Sequence, residues 1–338
     1  MKLGMFTTCL HDRDLDGAIE VAHQLGHTSL ELNSGGFFRD YHIHTSALLV
    51  SEHARSEFLG KLSAAGMSLT SLNNNGNPLH PDREVGPRHL REMHDAIDLA
   101  ALLGVGVVVM QSGNPGAEPT STVPSWVVSP WDSAYIDVLD YQWSLAVPLW
   151  KEIAAHATDR GIKLAIEMHP HQLVYSPTTL ARLIEETGAE SIGMEMDPSH
   201  LFWQGIDPVE TIERFGDRVF MSAAKDTKIY EENLRKNGFL NNLWRRNEGP
   251  NKVAFTGRYT ANDYPEDPSY EFVSIGRGHD VEFWSRWLAA LNRVNPDISV
   301  QIEHEDPHMG RIEGLQFATE SLNAAAAKAG LEFDKPTY

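Results

Sequence analysis

The chain has 338 residues, with 28 Lys+Arg against 47 Asp+Glu and a net charge of −19. That balance argues against nonspecific binding to nucleic acid or an anionic membrane, whose phosphates would be repelled before contact. Hydrophobic residues at 41% and charged residues at 22% are ordinary for a globular protein, and Cys9, alone, allows no intrachain disulfide. Met1 to Phe6 runs directly into a strand-like segment without a signal-peptide core, and the apolar stretch Leu99–Met110 falls short of the roughly 18 residues a bilayer span requires. A soluble, cytoplasmic protein is expected.

In chain order, Leu3–Leu10 reads as a strand. Asp14 then precedes Leu15, Ala18, Ile19, Ala22 and Leu25, the spacing of one buried helix face, stopped by Gly26. Thr28–Asn33 is a second strand, Ser51–Ala65 a helix ended by Gly66, and Met67–Asn73 a third strand. Pro87–Leu103 is a long helix closed by Gly104, and Val105–Met110 a β-branched, buried strand. Trp143, Val147, Trp150, Ile153 and Ala157 stripe the next helix. Strands follow at Lys163–Met168, Ser191–Met196, Val219–Ala223 and Ile298–Ile302. Helices follow at Thr179–Thr187, Val209–Phe215, Val281–Val294 and about Arg311–Ala329.

Repeated strand–helix units imply a parallel sheet covered by helices. A doubly wound open sheet would usually carry a glycine-rich turn after its first strand, and Thr7-Thr8-Cys9-Leu10-His11 has no glycine. The expected fold is therefore a (β/α)8 TIM barrel, residues 1–338 as one domain, with insertions at Ser112–Leu139 and Thr227–Ile275. Both insertions follow strands, which places them on the catalytic face, as lids, binding loops or, for the second, a subunit contact. Phe37, Phe38, Trp126, Trp131, Tyr135, Trp203 and Trp244 fall on expected loops, where they could stack on a sugar ring or pack the loops down. His53, His89, His94 and His156 lie in helical patterns and are expected to face solvent.

In a parallel barrel the C-terminal strand ends point at a common site. Those ends carry Glu31, Asn73-Asn74-Asn75, Gln111, Glu167 with His169, Glu195 with Asp197 and His200, Lys225-Asp226, and Glu303-His304-Glu305-Asp306. One buried carboxylate is usually a hydrogen-bonded structural group. Several converging from three strands repel one another, and a divalent cation is the simplest way to hold them. Oxygen-rich ligation suits Mn²⁺, Mg²⁺ or Co²⁺ better than a thiolate-type zinc site.

Glu167 with His169, Asp197-Pro198-Ser199-His200, Lys225-Asp226 and Glu303-His304-Glu305-Asp306, in that order, resemble the strand-end motifs of the xylose-isomerase-like TIM-barrel superfamily of sugar isomerases and epimerases. The resemblance extends over nearly the whole chain. Asn77-Pro78-Leu79-His80-Pro81 and the Trp131–Trp150 segment are similar to a subgroup acting on oxidised glycosides, the α subunits of C-glycoside deglycosidases and related 3-keto-glycoside lyases. The resemblance implies one divalent metal (Mn²⁺ first, with Mg²⁺, Co²⁺ or Zn²⁺ as alternatives) on Glu167, Asp197 and Glu303. The family's histidine, two residues before the Lys-Asp pair, falls on Ala223, which cannot coordinate. Three protein ligands plus water, substitution by His169, His200 or His304, and a metal-free or altered chain all stay open.

The resemblance also implies a reaction: proton abstraction α to a carbonyl through a metal-stabilised enediolate, with Glu167 and Glu303 as the acid–base pair. His200 would hydrogen-bond a substrate hydroxyl or the developing oxyanion. Lys225 would neutralise negative charge, or simply pair with Asp226. If a leaving group sits β to the carbonyl, the same step gives elimination, with His169 or His279 as the acid. Arg277, in Gly276-Arg277-Gly278-His279-Asp280, could clamp an anion, against the plainer reading of a glycine turn whose Asp280 caps the next helix. A three-metal DNA-repair endonuclease of this barrel type is disfavoured by the charge and by Ala223, and a two-metal aldose isomerase by too few acids after strand seven. A catalytically silent partner subunit is the reading from a different class. Expected partners are a small carbohydrate or glycoside and either a second copy of the chain or a small second subunit.

Overall fold

In a computed structural model, residues 1–249, 254–256 and 259–335 are described. Eight parallel strands close into a barrel: β1 (Lys2–Phe6), β2 (Ser29–Asn33), β3 (Ser68–Asn73), β4 (Val107–Gln111), β5 (Lys163–Glu167), β6 (Ile192–Met196), β7 (Val219–Ala224) and β8 (Ser299–Ile302). Closure is made by β8 against β1, with Lys2 opposite Ser299 and Met5 opposite Ile302. A closed barrel leaves no unpaired edge. One long helix follows each strand: α1 (Leu15–Leu25), α2 (Glu52–Ala64), α3 (Val85–Leu103), α4 (Ser133–Asp159), α5 (Pro177–Thr187), α6 (Pro208–Phe215), α7 (Val281–Val294) and α8 (Arg311–Lys328).

The helix ends follow their sequence signals. The Asp14 carboxylate accepts the Gly17 N–H at 2.9 Å at the start of α1. Ser176 and Thr179 form a reciprocal capping box ahead of α5, and Gly26, Gly104 and Gly188 close α1, α3 and α5 in the left-handed region, where a Cβ would be strained.

Strand alternation sorts the interior into two layers. Val108, Met110, Leu164, Ile166, Met194, Met196, Val300 and Ile302 pack outward against the helices, in a core that also holds the fully buried Trp150, Trp284 and Trp287. Val109, Ala165 and Met221, of opposite parity, form a separate small cluster with Phe220. Successive side chains alternate between faces, so Gln111, Glu167, Glu195, Ala223, Gln301 and the residues two further on share the lumen side. The C-terminal rim of that lumen is polar.

Several expectations are corrected. The first strand stops at Phe6, and Thr7–Leu10 is a 3-10 turn. Helix α4 starts at Ser133, so it takes up the end of the expected 112–139 loop and carries Tyr135; exposed Tyr135 and Ile136 obscure the apolar stripe there. The 227–275 segment is not all loop: Asp226–Ile229 and Tyr270–Val273 pair as an antiparallel hairpin, with Asp226 opposite Val273 and Tyr270 opposite Ile229. Its residues 250–253 and 257–258 lie outside the described residues. His89 is buried rather than solvent-facing: its Nδ1 accepts the Asn77 N–H at 2.9 Å, and burial, helped by Arg88, pushes its pKa down to about 4. No helix among the described residues is long and apolar enough to cross a membrane.

His27 supplies a pH-dependent element of stability. It is fully buried behind β1 and β2, with Nε2 2.9 Å from Thr319 Oγ1 of α8. Burial lowers its pKa from 6.5 to about 4, so the folded state keeps the ring neutral. The folded chain therefore binds fewer protons than the unfolded one between those values, and the stabilisation present above pH 6.5 is lost as pH falls toward 4. The expected loss is about 3 kcal/mol. In urea unfolding across that range, His27→Gln should flatten this limb of the stability curve; an unchanged limb would assign acid sensitivity elsewhere.

Candidate metal and acid–base site

Glu167 ends β5, and Asp197, Lys225 and Glu303 each stand one residue beyond β6, β7 and β8. Glu167, Asp197 and Glu303 are buried, and each brings a carboxylate oxygen to within 4.8 Å of the other two. Glu167 Oε2 accepts from Asn75 Nδ2 at 2.6 Å and from Gln111 Nε2 at 2.7 Å. Its Oε1 lies 3.2 Å from His200 Nε2, which also faces Asp197 Oδ2 at 3.1 Å. Asp197 Oδ1 accepts the Ser199 N–H at 2.8 Å, at the start of the short helix Ser199–Phe202. That turn carries His200 back over the carboxylates.

Lys225 does not pair with Asp226. Neighbours on a strand point to opposite faces, and Lys225 shares the lumen face with Ala223. Its Nζ lies 2.8 Å from Glu303 Oε2, 3.0 Å from Asp197 Oδ2 and 3.7 Å from Glu305 Oε2. Asp226 points the other way and accepts the backbone N–H groups of Gly276, Gly278 and His279.

Burial opposes ionisation of every acid here, and the neighbours decide the outcome. For Glu167, the surrounding His169, His200 and Lys225 outweigh burial and hold the carboxyl at about 2. Asp197 is likewise lowered, chiefly by Lys225 and His200 against burial. His200 is raised to about 9, because Asp197 and Glu167 overcome its desolvation. Glu303 goes the other way, pushed up to about 8 by burial and by Glu167 and Asp197 despite Lys225.

The rim also contains groups to which the sequence assigned no role. Asn75 and Gln111 orient Glu167, and the Asn73-Asn74-Asn75 run at a strand end was their visible signal. Gly36, at φ 83°, brings the loop after β2 onto the Asn75 carbonyl, where a Cβ would sit 2.1 Å from that oxygen. Glu31 is buried on β2, accepts from Ser71 at 2.7 Å and Asn73 at 2.8 Å, and is pushed up to about 7 by burial. Neither buried oxygen of Glu195 has a hydrogen-bond partner, and burial, with Glu31 next, raises its pKa well above the usual range.

His169 donates from Nδ1 to the Pro170 carbonyl at 2.7 Å, which leaves Nε2 as the lone-pair nitrogen. Glu167, His169 and His200 form a second group whose ligand atoms fall within 4.8 Å. His304 turns away, its Nδ1 3.3 Å from Ser274 Oγ. Arg277 and His279 are occupied elsewhere: Arg277 by Asp306, and His279 Nδ1 by Asp226 at 2.7 Å, with its ring stacked on Phe202. Both anchor the loop ahead of α7, and Asp280 caps that helix through the Phe283 N–H at 2.9 Å. The geometry does not bring either to the carboxylates.

Aromatic rings wall the site on two sides. Phe272, on the hairpin, meets the His200 ring edge-on at 5.1 Å and lies 5.1 Å below the Lys225 ammonium, backed by Tyr264 and by Tyr270 stacked on Trp203. From the other insertion, Trp126 packs edge-on against Tyr175 and against His171, a non-glycine residue at φ 64°. Trp203, expected on a loop where it could stack on a sugar ring or pack the loop down, is buried.

The donor set fits a divalent cation. Three buried carboxylates from three strands supply hard oxygen ligands, and His169, which groups with Glu167 and His200, offers a nitrogen on the Glu167 side.

Among known proteins, the chain is 32% identical over 326 residues to the uncharacterized protein YfiH of Bacillus subtilis strain 168, spanning 95% of this chain and 98% of that one. It is 22% identical over 210 residues to inosose dehydratase of Clostridium perfringens, 61% of this chain and 64% of that enzyme. Two solved structures share the fold: an IOLI protein with a bound zinc atom (TM-score 0.62, 15% identity, 97% of this chain and 99% of that one) and a D-tagatose 3-epimerase-like protein (TM-score 0.62, 16% identity, 98% of each). The family model of the xylose isomerase-like TIM barrel matches residues 19–328, and the chain belongs to that family.

Proposed function

We propose that this chain is a divalent-metal-dependent sugar isomerase or epimerase that moves a proton α to a carbonyl. The convergence of Glu167, Asp197 and Glu303 from three strands, with oxygens within 4.8 Å, carries the reading. Glu167, Asp197 and Glu303 would hold the ion, with His169 Nε2 as a nitrogen donor and Mn²⁺ as the first candidate, ahead of Mg²⁺, Co²⁺ and Zn²⁺. When bound, such an ion acts as a Lewis acid toward a carbonyl and its neighbouring hydroxyl. Glu167 and Glu303 come from β5 and β8, well separated around the barrel, and serve as the pair that removes and returns the proton. His200, held between Glu167 and Asp197, donates to a substrate oxygen. Phe272 gives the apolar face of a sugar ring a surface and excludes water from the carboxylates.

A second reading, elimination, draws on the inosose dehydratase relatives, whose name describes loss of water. Removal of the same α proton with a leaving group on the β carbon gives a lyase or dehydratase. A 3-keto-glycoside is the corresponding substrate class.

Loading with Mn²⁺, desalting and elemental analysis test the metal, on wild type beside Asp197→Ala. About one ion per wild-type chain and a loss of most of it in the variant is the expected result. No retained ion in wild type overturns the metal-dependent reading. Incubation of ketoses and 3-keto-glycosides in deuterium oxide then separates the outcomes: label in recovered isomers marks epimerisation, and a released alcohol or water with an unsaturated ketone marks elimination.

A further inference from the structure

Position 223 has lost any donor atom, while two residues on, along the same face of β7, a lysine enters the carboxylate cluster. We propose that the Lys225 ammonium is a tethered cation that holds the ion's place between Asp197 and Glu303, and that metal binding proceeds by moving it onto Glu305. This inference rests on the metal-site reading above and names the residue that sets its affinity.

Four observations carry it. The Nζ atom contacts two of the three carboxylates that would bind the ion, at 2.8 Å and 3.0 Å, and it is buried with them. An ammonium against Asp197 Oδ2 and Glu303 Oε2 occupies one lone pair of each and repels a divalent ion approaching the same two oxygens. Glu305 stands at the rim, its side chain half exposed, with Oε2 3.7 Å from the same Nζ. It belongs to neither cluster of ligand atoms, so it remains free to receive the lysine when the other two carboxylates take the ion. Finally, Phe272 lies 5.1 Å from the ammonium, so its ring face stabilises the charge along the path between the inner pair and Glu305.

The charge count explains the arrangement. Without an ion, the Lys225 ammonium is the cation held against Asp197 and Glu303. With an ion, the lysine's charge would be surplus in the centre, and Glu305 neutralises it outside. A chain with alanine at β7 position 223 has no ligand there and holds a built-in competitor at Lys225. Its metal affinity is lower, and its metal-free form more stable, than that of the same barrel without the lysine.

Isothermal titration of the full metal-free chain with MnCl₂, alongside thermal unfolding with and without the ion, tests this. Lys225→Met should bind Mn²⁺ about tenfold or more tightly than wild type, and its metal-free form should melt lower and recover more on adding the ion. Glu305→Gln, a surface change, should weaken Mn²⁺ binding by about threefold or more, because the displaced ammonium loses its acceptor. Unchanged or weaker binding in Lys225→Met overturns the proposal while leaving the metal-dependent reading intact. Binding in Lys225→Met with none in wild type supports the proposal and overturns that reading. No binding in wild type, Lys225→Met or Ala223→His with Lys225→Met removes both. If Lys225→Met does not fold, Glu305→Gln decides alone: unchanged Mn²⁺ affinity overturns the proposal.

Discussion

Glu167→Gln is expected to lower the rate of deuterium exchange into substrate by about 10³-fold, the scale of losing a positioned general base. The amide is nearly isosteric, and its oxygen can still accept from Asn75 and Gln111, so the barrel should fold. What changes is the edge facing His200: an NH₂ replaces Oε1, now 3.2 Å from His200 Nε2, and a donor meets a donor. The variant should therefore also leave the His200 ring on Asp197 alone, readable as a fall in its pKa from about 9 in an NMR titration of the metal-free chain. Exchange within tenfold of wild type would remove Glu167 from the acid–base pair.

Trp150→Ala should cost about 3–5 kcal/mol in urea unfolding, the range for deleting a fully buried aromatic. Trp150 is wholly buried in α4, and its Nε1–H donates to the Ser112 carbonyl at 2.9 Å. Ser112 in turn accepts, through Oγ, the Val174 N–H at 2.9 Å, so one indole ties the exit of β4 to the loop that follows β5. Cavity and unsatisfied carbonyl act together. Because that loop bears His169 and His171, the variant should lose activity below its melting temperature as well. A loss under about 1 kcal/mol would mean the site collapses around the gap.

Much of this architecture was legible in the sequence. Apolar stripes stopped by Gly26, Gly104 and Gly188 mark helix ends because only glycine takes the left-handed closing position without strain. Strand-end carboxylates on three separate strands point to one rim, and the structure brings Glu167, Asp197 and Glu303 together there. The misreadings share a physical cause, which is long-range pairing. Arg277, offered as an anion clamp beside the plainer glycine turn capped by Asp280, and His279, offered as an acid, are held by Asp306 and Asp226, which are remote in sequence. Of the two readings of Lys225, neutraliser of negative charge or partner of Asp226, the second fails because strand alternation sends the two side chains to opposite faces. His89 did carry a signal: it falls on the buried Met93, Ala96 and Ala100 face of α3, where an imidazole needs an internal partner and finds the Asn77 N–H.

The hairpin rooted at Asp226 and Val273 has a consequence for how this protein could diversify. Its paired strands bring Ile229 and Tyr270 side by side, so the intervening excursion begins and ends at one fixed gate. The entropy of closing that segment is set mainly by the gate and grows only slowly with length. Changing the length of the stretch between Tyr230 and Tyr264 should therefore leave β7 and the carboxylate rim undisturbed, while Phe272, inside the gate and backed by Tyr264, keeps its post beside His200. The excursion and barrel integrity are thereby uncoupled, and the excursion becomes the natural place to recast surface recognition without refolding the barrel.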